Sequence, residues 1–317
     1  MIPSGRKTVP RPEKKVAALP MSRRRFIQTA IAIPAGLGAL AGYAGVIEPV
    51  FRFRTAWHAV TLPGWQGGRL RIAILADIHM GPPQMTPDRL AAIVAKANAA
   101  APDLAVCLGD YTARHPYVTE RVAPEITAGV LAGLRAPMGT WAVLGNHDWA
   151  EDAAAQHRRG GPTFWHHTLA AAGIGVLDNH ASPIEHGGGR AWLAGLGSQR
   201  AFLVPPHGAD DLGATLARVT TSDPVILLAH EPDIFPALPD RVGLTLAGHT
   251  HGGQVRIFGR APYVPSRYGD RYAHGHFQEG GRQMIVSGGL GCSMAPIRFG
   301  MPPELVVVDI RAAADAA

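Results

Sequence analysis

Five times along this chain an apolar run ends in a short block of aspartate, asparagine or histidine. The blocks are Asp77-Ile78-His79, Gly109-Asp110, Gly145-Asn146-His147-Asp148, Ala229-His230-Glu231 and Gly248-His249-Thr250-His251-Gly252-Gly253. The preceding runs, such as residues 72–76, 104–108 and 225–229, are short and almost continuously Val, Ile, Leu or Ala. That is the pattern of strands buried on both faces. In open α/β sheets ligands bind past the carboxyl ends of such strands, so a chain of this layout gathers its polar blocks along one sheet edge.

Helical signals fall between the runs. Thr86-Pro87-Asp88 joins a capping hydroxyl to a proline in the first turn, and Leu90, Ile93, Val94 and Ala97 follow at helical spacing. A second helix is predicted near 123–134, between strands at 104–108 and 140–144. The first half therefore reads β-α-β-α-β, which favours a largely parallel sheet. Beyond it, helices are expected at 163–172 and 212–219. Strands are expected around 174–177, 191–196, 225–229, 244–247, 284–287 and 305–310, with Gly187-Gly188-Gly189 as a turn. Residues 46–68 read as a connector, 69–312 as the folded domain and 313–317 as a tail. Residues 256–281, rich in Gly, Arg and Tyr and without periodicity, read as a long loop over one face.

The net charge of +6 invites an anionic partner until it is located. Residues 1–25 hold eight basic residues against the single acid Glu13, whereas residues 26–317 hold 22 basic and 23 acidic ones. The excess belongs to the N-terminus, which argues against nucleic acid as a partner of the body. Within that N-terminus, Ser22-Arg23-Arg24-Arg25-Phe26-Ile27-Gln28 precedes an apolar stretch to about Ala44, interrupted by Pro34. Residues 1–45 thus resemble a twin-arginine (Tat) export signal, and Ala39-Leu40-Ala41 offers a cleavage site. By length the same stretch also suits a membrane anchor. Either reading places the body outside the cytoplasmic leaflet, periplasmic or held at the outer face of the membrane, with the Tat translocase as a partner during export. Cys107 and Cys292 have no metal spacing; Cys107, in an apolar run, reads as a buried thiol.

Side chains two apart in an extended segment point the same way, so Asp77 with His79, and His249 with His251, can address one cleft. Carboxylate and amide oxygens mixed with imidazoles suit Mn²⁺, Fe²⁺ or Zn²⁺, and the absence of thiolates argues against a structural zinc. Six or seven such ligands exceed what one catalytic ion with an open position can use and fit two ions sharing a carboxylate. A single H-x-H is weak evidence, as His274-Gly275-His276 shows; that pair reads as a solvated loop.

The ordered set D-x-H, G-D, G-N-H-D, H and G-H-T-H resembles the calcineurin-like metallophosphoesterase family. The resemblance implies a four-layer α/β/β/α sandwich with two mixed β-sheets. It implies Asp77, His79 and His251 as ligands of a first divalent metal, Asn146, His230 and His249 as ligands of a second, and Asp110 as the carboxylate between them. His147 falls where the family has a histidine that contacts phosphate and protonates the leaving oxygen, with Asp148 as its orienting neighbour. The activity implied is direct hydrolysis of a phosphodiester or pyrophosphate by a metal-bridging hydroxide. Tyr111 follows Asp110 directly and Ala113 stands three residues on, so the tyrosine ligand of purple acid phosphatases is missing. The 248–254 string and Ile47-Glu48-Pro49 look like the exported or membrane-associated bacterial branch, which points to a cell-envelope or lipid-headgroup substrate and a membrane surface as partner. The alternative from a different class is a metal-binding scaffold of the same fold without turnover.

Arg256 and Arg298, with Arg267 and Arg271, follow the last ligand and are candidates for a second phosphate or a nucleotide. Tyr263, Tyr268, Tyr272 and Phe277 in the same region read as packing of the loop onto the body, and His166 and His167 as structural.

Overall fold

The computed structural model describes residues 22–313. The basic lead before Ser22 and the last residues of the expected tail, 314–317, lie outside the described residues. Helix α1 (Arg23–Gly42) has Pro34 within it and buries no residue. With the π-helical segment Tyr43–Phe51 it makes a 29-residue stretch long and apolar enough to cross a membrane. The compact body begins at Gly42.

The body's chain order runs β1 (Arg54–Thr61), β2 (Leu70–Leu75), β3 (Leu104–Cys107), β4 (Thr140–Ala142) and β5 (Gly175–Val176), then β6 (His180–His186), β7 (Gly189–Gly195), β8 (Val225–Ala229), β9 (Val242–Ala247), β10 (Gly275–Glu279) and β11 (Arg282–Val286), and last β12 (Glu304–Arg311). Two six-stranded sheets result, ordered β1-β12-β2-β3-β4-β5 and β10-β11-β9-β8-β7-β6. Each has a parallel centre: β2, β3, β4 and β5 in the first, β11, β9, β8 and β7 in the second. Antiparallel pairs of β12 with β2, β10 with β11, and β6 with β7 make both sheets mixed.

Strand alternation explains the layers. Ile72 and Ile74 of β2 meet Ile226 and Leu228 of β8 in the core between the sheets, while Ala73 and Leu75 face the other way onto the helices. There α2 (Pro87–Ala99) presents Leu90, Ile93, Val94 and Ala97, and α3 (Pro124–Leu131) presents Ala128 and Leu131. Two short helices follow, α4 (Asn146–Ala150) and α5 (Ala153–Arg158); α6 (Phe164–Ala171) adds Trp165 and Leu169 to the same core. On the far face of the second sheet Val225, Leu227 and Ala229 pack with Phe235 and Tyr272, and α7 (Leu212–Ala217) adds Leu212 and Leu216 at the margin. The expected sandwich is thus present. Truncating a side chain such as Leu228, with no exposed surface, would cost about 2–5 kcal/mol.

Two stretches differ from expectation. The segment read as a connector contains β1, which runs parallel to β12 from Arg54↔Glu304 to Thr61↔Arg311. As an edge strand it leaves Arg54, Thr55, Trp57 and Ala59 exposed, so it lacks the apolar run that marks the inner strands. The segment read as a loop contains a short 3₁₀ turn, Gly269–Tyr272, and edge strand β10. His274 there bonds Glu304 at 2.8 Å and His276 bonds Gln283 at 3.1 Å, so this H-x-H is structural rather than a solvated loop.

Candidate metal centre

All five blocks lie at the carboxyl ends of strands: 77–79 after β2, 109–110 after β3, 145–148 after β4, 230–231 after β8 and 248–253 after β9. The loops tie to one another through the main chain. The N–H of Asp77 donates to Gly109 O at 3.1 Å, that of His79 to Asp110 O at 2.9 Å and that of Gly248 to His230 O at 3.0 Å. Asp77, His79, Asp110, His249 and His251 all have positive φ, between 44° and 70°. The D-x-H and H-T-H pairs are therefore not extended, as their spacing suggested, but turn through left-handed residues. Asp and His tolerate that region better than most side chains, and such strain collects at functional sites. Gly145 is required for closeness: a Cβ there would run into Asp110 Oδ1 and the His230 ring.

Ligand atoms converge in three overlapping groups, each with its atoms within 4.8 Å of one another. Asp77, His79 and His251 form one and Asp110, His230 and His249 another, and His79, Asp110 and His147 join the two. Asp110 Oδ2 stands between them, 3.5 Å from His79 Nε2 and 3.4 Å from His230 Nε2. Asn146 Oδ1 is buried and has no hydrogen-bond partner, as a ligand oxygen without its cation would be.

The imidazoles are oriented from behind. His79 Nδ1 is 3.3 Å from Thr112 O, His230 Nδ1 2.6 Å from Leu108 O and His249 Nε2 3.0 Å from Pro265 O. Each carbonyl fixes its ring from behind and turns the other nitrogen inward. His230 Nε2 and His249 Nδ1 consequently face each other at 3.2 Å, and His79 Nε2 and His251 Nε2 at 3.0 Å. Against the cost of burial, Asp110 holds His230 well above the ordinary histidine value, so without a cation a second N–H of His230 faces Asp110 and His249. Arg298, a donor only, faces His251 Nδ1 at 3.3 Å, which leaves the proton of that ring on Nε2, toward His79. Burial pushes His79 down to about 3 and holds His249 and His251 well below the ordinary histidine value, which keeps these rings neutral and ready as ligands. Burial also pushes Asp77 up to about 7. Asp110 is held well below the carboxylate range, against the cost of its burial, by His230 and His147. The donor set and its geometry fit divalent cations.

Three expected roles change. Asp148 makes no hydrogen bond to the His147 ring. Its carboxylate accepts the N–H groups of Asp110 at 2.8 Å, Tyr111 at 2.8 Å and Gly145 at 2.7 Å, so it fixes the loop bearing Asp110 instead. His147 Nε2 lies 3.9 Å from Asp110 Oδ2, its ring packs edge-on against His79, and Nδ1 has no partner. Arg298 is fully buried: its guanidinium donates to Gly288 O at 2.9 Å, Met301 O at 3.0 Å, Gly291 O at 3.0 Å and Gly289 O at 3.2 Å, with Nη2 3.3 Å from His251 Nδ1. Its donors are taken by main chain, and none is left for a substrate. Arg256 is bound to Gly252 O and to Asp270, so it ties the loop together. Arg267 pairs with Asp233 and Arg271 with Glu279.

The guanidinium that lines the cavity beside the ligands is Arg200, which sequence reasoning missed. Its signal was a sixth polar block past a strand end, Gly197-Ser198-Gln199-Arg200 after β7. Buried Glu231 holds that block to its neighbour: it accepts from Ser198 Oγ at 2.6 Å and from the Gln199 N–H at 2.9 Å. Among the aromatics Tyr272 is buried and packs edge-on against Phe277 and Tyr268, as expected, but Tyr263 is exposed and lines the cavity. His166 is structural, bonded to Asp178 at 3.0 Å, and both cysteines are buried and free.

A buried cluster of carboxylates, an amide and imidazoles in two groups, at the strand ends of a two-sheet sandwich, defines a metal-dependent hydrolase. The family model for calcineurin-like phosphoesterase matches residues 70–253, and the chain belongs to that family; it is a metal-dependent phosphoric ester hydrolase. The chain is 30% identical to the metallophosphoesterase YkuE of Bacillus subtilis, over 92% of this chain and 98% of YkuE. It is also 30% identical to the phosphodiesterase YaeI of Escherichia coli, over 92% of this chain and 99% of YaeI. A zebrafish (Danio rerio) transmembrane protein with a metallophosphoesterase domain is 34% identical over 59% of this chain, a match that spans 41% of that protein.

Proposed function

We propose that the chain is a phosphodiesterase or pyrophosphatase that works at two divalent cations, Mn²⁺, Fe²⁺ or Zn²⁺, on a cell-envelope phosphoester. The observation that carries this reading is the convergence of the ligand atoms of Asp77, His79 and His251, and of Asp110, His230 and His249, each set within 4.8 Å, together with the buried and unpartnered Asn146 Oδ1. Asp77, His79 and His251 would hold one cation and Asn146, His230 and His249 the other, with Asp110 between. When bound, the cations supply an activated water and neutralise phosphate oxygens. Arg200, at the side of the same cavity, binds a phosphate oxygen, and His147, the most exposed of the clustered imidazoles, donates a proton to the departing oxygen.

The phosphodiesterase name of YaeI supports the reaction type. The Tat-like motif, the helix long enough to span a membrane and the transmembrane name of the zebrafish relative support export, with the body periplasmic or anchored to the membrane. The body begins at Gly42, directly after the expected cleavage residue Ala41.

The test is hydrolysis of bis-p-nitrophenyl phosphate by protein loaded with each metal in turn. His147→Ala should lose about 10²–10⁴-fold in kcat with its metal content intact. A fully loaded but inert wild type would favour the scaffold reading. N-terminal sequencing of protein from fractionated cells tests export, and a cytoplasmic location refutes it.

A further inference from the structure

The metal ligands form one end of a cavity of about 430 Å³, a size typical of small-molecule sites. Asp110, Asn146, His147, His249 and His251 line that end. The other wall is apolar and is made by Val255, Pro262, Tyr263, Met294, Ala295 and Ile297. Tyr263, Met294 and Ile297 are among the exposed large apolar side chains of the body. Single exposed apolar residues are ordinary, but a continuous set facing one cavity marks a ligand surface.

The same wall is tied to the segment that follows the apolar helix. Val255 bridges Phe299, and the Phe299 ring packs edge-on against Tyr43 with centroids 6.1 Å apart. The N–H of Arg298 donates to Ala44 O at 2.8 Å. Buried Glu48 accepts the N–H groups of Gly300 at 3.0 Å and Met301 at 2.6 Å. Tyr43 directly follows α1, so chain connectivity alone brings one side of the cavity within a few residues of a helix of membrane-spanning length. Nearby, the turn closed by Ile257 and Arg260 holds Phe258 fully exposed at positive φ, which is costly for a bulky residue with nothing to cover it.

We infer that the apolar wall holds the alkyl or acyl chain of an amphiphilic phosphoester whose phosphate lies on the metal ligands. The substrate class is then a membrane-derived phosphoester rather than a small hydrophilic one. This inference rests on the phosphoesterase reading above and gives that site its substrate. The wall supplies affinity for the chain, and Arg200 with the cations supplies it for the phosphate.

The experiment uses the full chain, metal-loaded, in lipid nanodiscs, with p-nitrophenyl alkyl phosphates from methyl to octyl and p-nitrophenyl thymidine phosphate as probes. Burial of one methylene raises kcat/KM by at most about fourfold, so half-burial of the added chain predicts an octyl-to-methyl ratio on the order of 100. Part of any rise comes from partition into lipid, which is the same for every variant. The decisive quantity is therefore the ratio in Met294→Gln/Ile297→Asn relative to wild type, and at least a tenfold fall is expected. Both positions are on the surface of the body, and a thermal melt checks their folding. A ratio that the double change leaves unaltered, or a preference for the thymidine ester over the octyl one, overturns the inference while leaving the phosphoesterase reading in place. Failure to turn over any of the esters with any metal would overturn both.

Discussion

Replacing Arg298 with leucine separates two roles that its position in the sequence left open. The guanidinium has no exposed surface and donates to four carbonyls, those of Gly288, Gly289, Gly291 and Met301. Gly289 O keeps the Glu304 N–H at 3.1 Å, but leucine leaves the other three acceptors buried and unpaired. At the low end of about 1 kcal/mol each, the loss is about 3 kcal/mol, before any relief from water entering the vacated space. For a body of this size that is a fall in melting temperature of about 6 °C or more. The assay is a thermal melt of metal-free and metal-loaded protein, with Arg298→Lys alongside to restore charge and some donors. Metal-loaded Arg298→Leu should also hold metal more weakly, since His251 Nδ1 loses its neighbour at 3.3 Å. A variant that melts within 2 °C of wild type but shows a raised KM would refute the structural role and restore Arg298 as a substrate contact.

Other changes test neighbouring steps. Asp148→Ala strands the N–H groups of Asp110, Tyr111 and Gly145, and should weaken metal binding by about 10–100-fold in a competition titration; unchanged affinity would mean that the loop does not need this carboxylate. Glu48→Ala unpairs the N–H groups of Gly300 and Met301 and should lower stability by about 2 kcal/mol in urea unfolding, which a coincident transition would contradict. Glu304 is pulled down to about 2, against the cost of burial, by His274, the Gly288 N–H and Arg54. Its contribution is complete above the unfolded value of about 4.5 and is lost as pH falls towards 2, on the order of 3 kcal/mol in all; Glu304→Gln should flatten acid unfolding over that window, and an unchanged slope rules this out.

What could be read in the sequence was whatever a strand writes in its own residues. Inner strands such as β2 and β8 are buried on both faces, so they appear as apolar runs, and the ligands follow because the loops begin where the runs stop. Edge strands β1 and β10 bury little and leave no such trace. The arginines failed for a different reason. Whether Arg298 meets substrate or main chain depends on where the carbonyls of residues 288–291 and 301 converge, and carbonyls are the same in every residue. Asp148 is a similar case, since its partners are backbone N–H groups. Side chains that pair with side chains can be inferred from residue type, whereas those that pair with backbone need the fold.

Charge shows how these parts combine. The body carries almost equal numbers of acidic and basic residues, and its clustered carboxylates, Asp77 and Asp110, would repel a phosphate on their own. His79, His249 and His251 are held neutral and do not offset them, His230 offsets Asp110 in part, and among the described residues Arg200 is the arginine that lines the cavity. On the two-cation reading proposed above, the cations would bring four positive charges against at most two negative ones from these carboxylates, so the site would become strongly positive once they are bound. Phosphate and metal must then bind with positive coupling: each should raise the affinity for the other by the same factor. Titrating inorganic phosphate by calorimetry into metal-free and metal-loaded protein measures that factor directly. Equal affinity in the two states would mean that the attraction for phosphate lies elsewhere on the body and that the clustered ligands serve only to hold the fold.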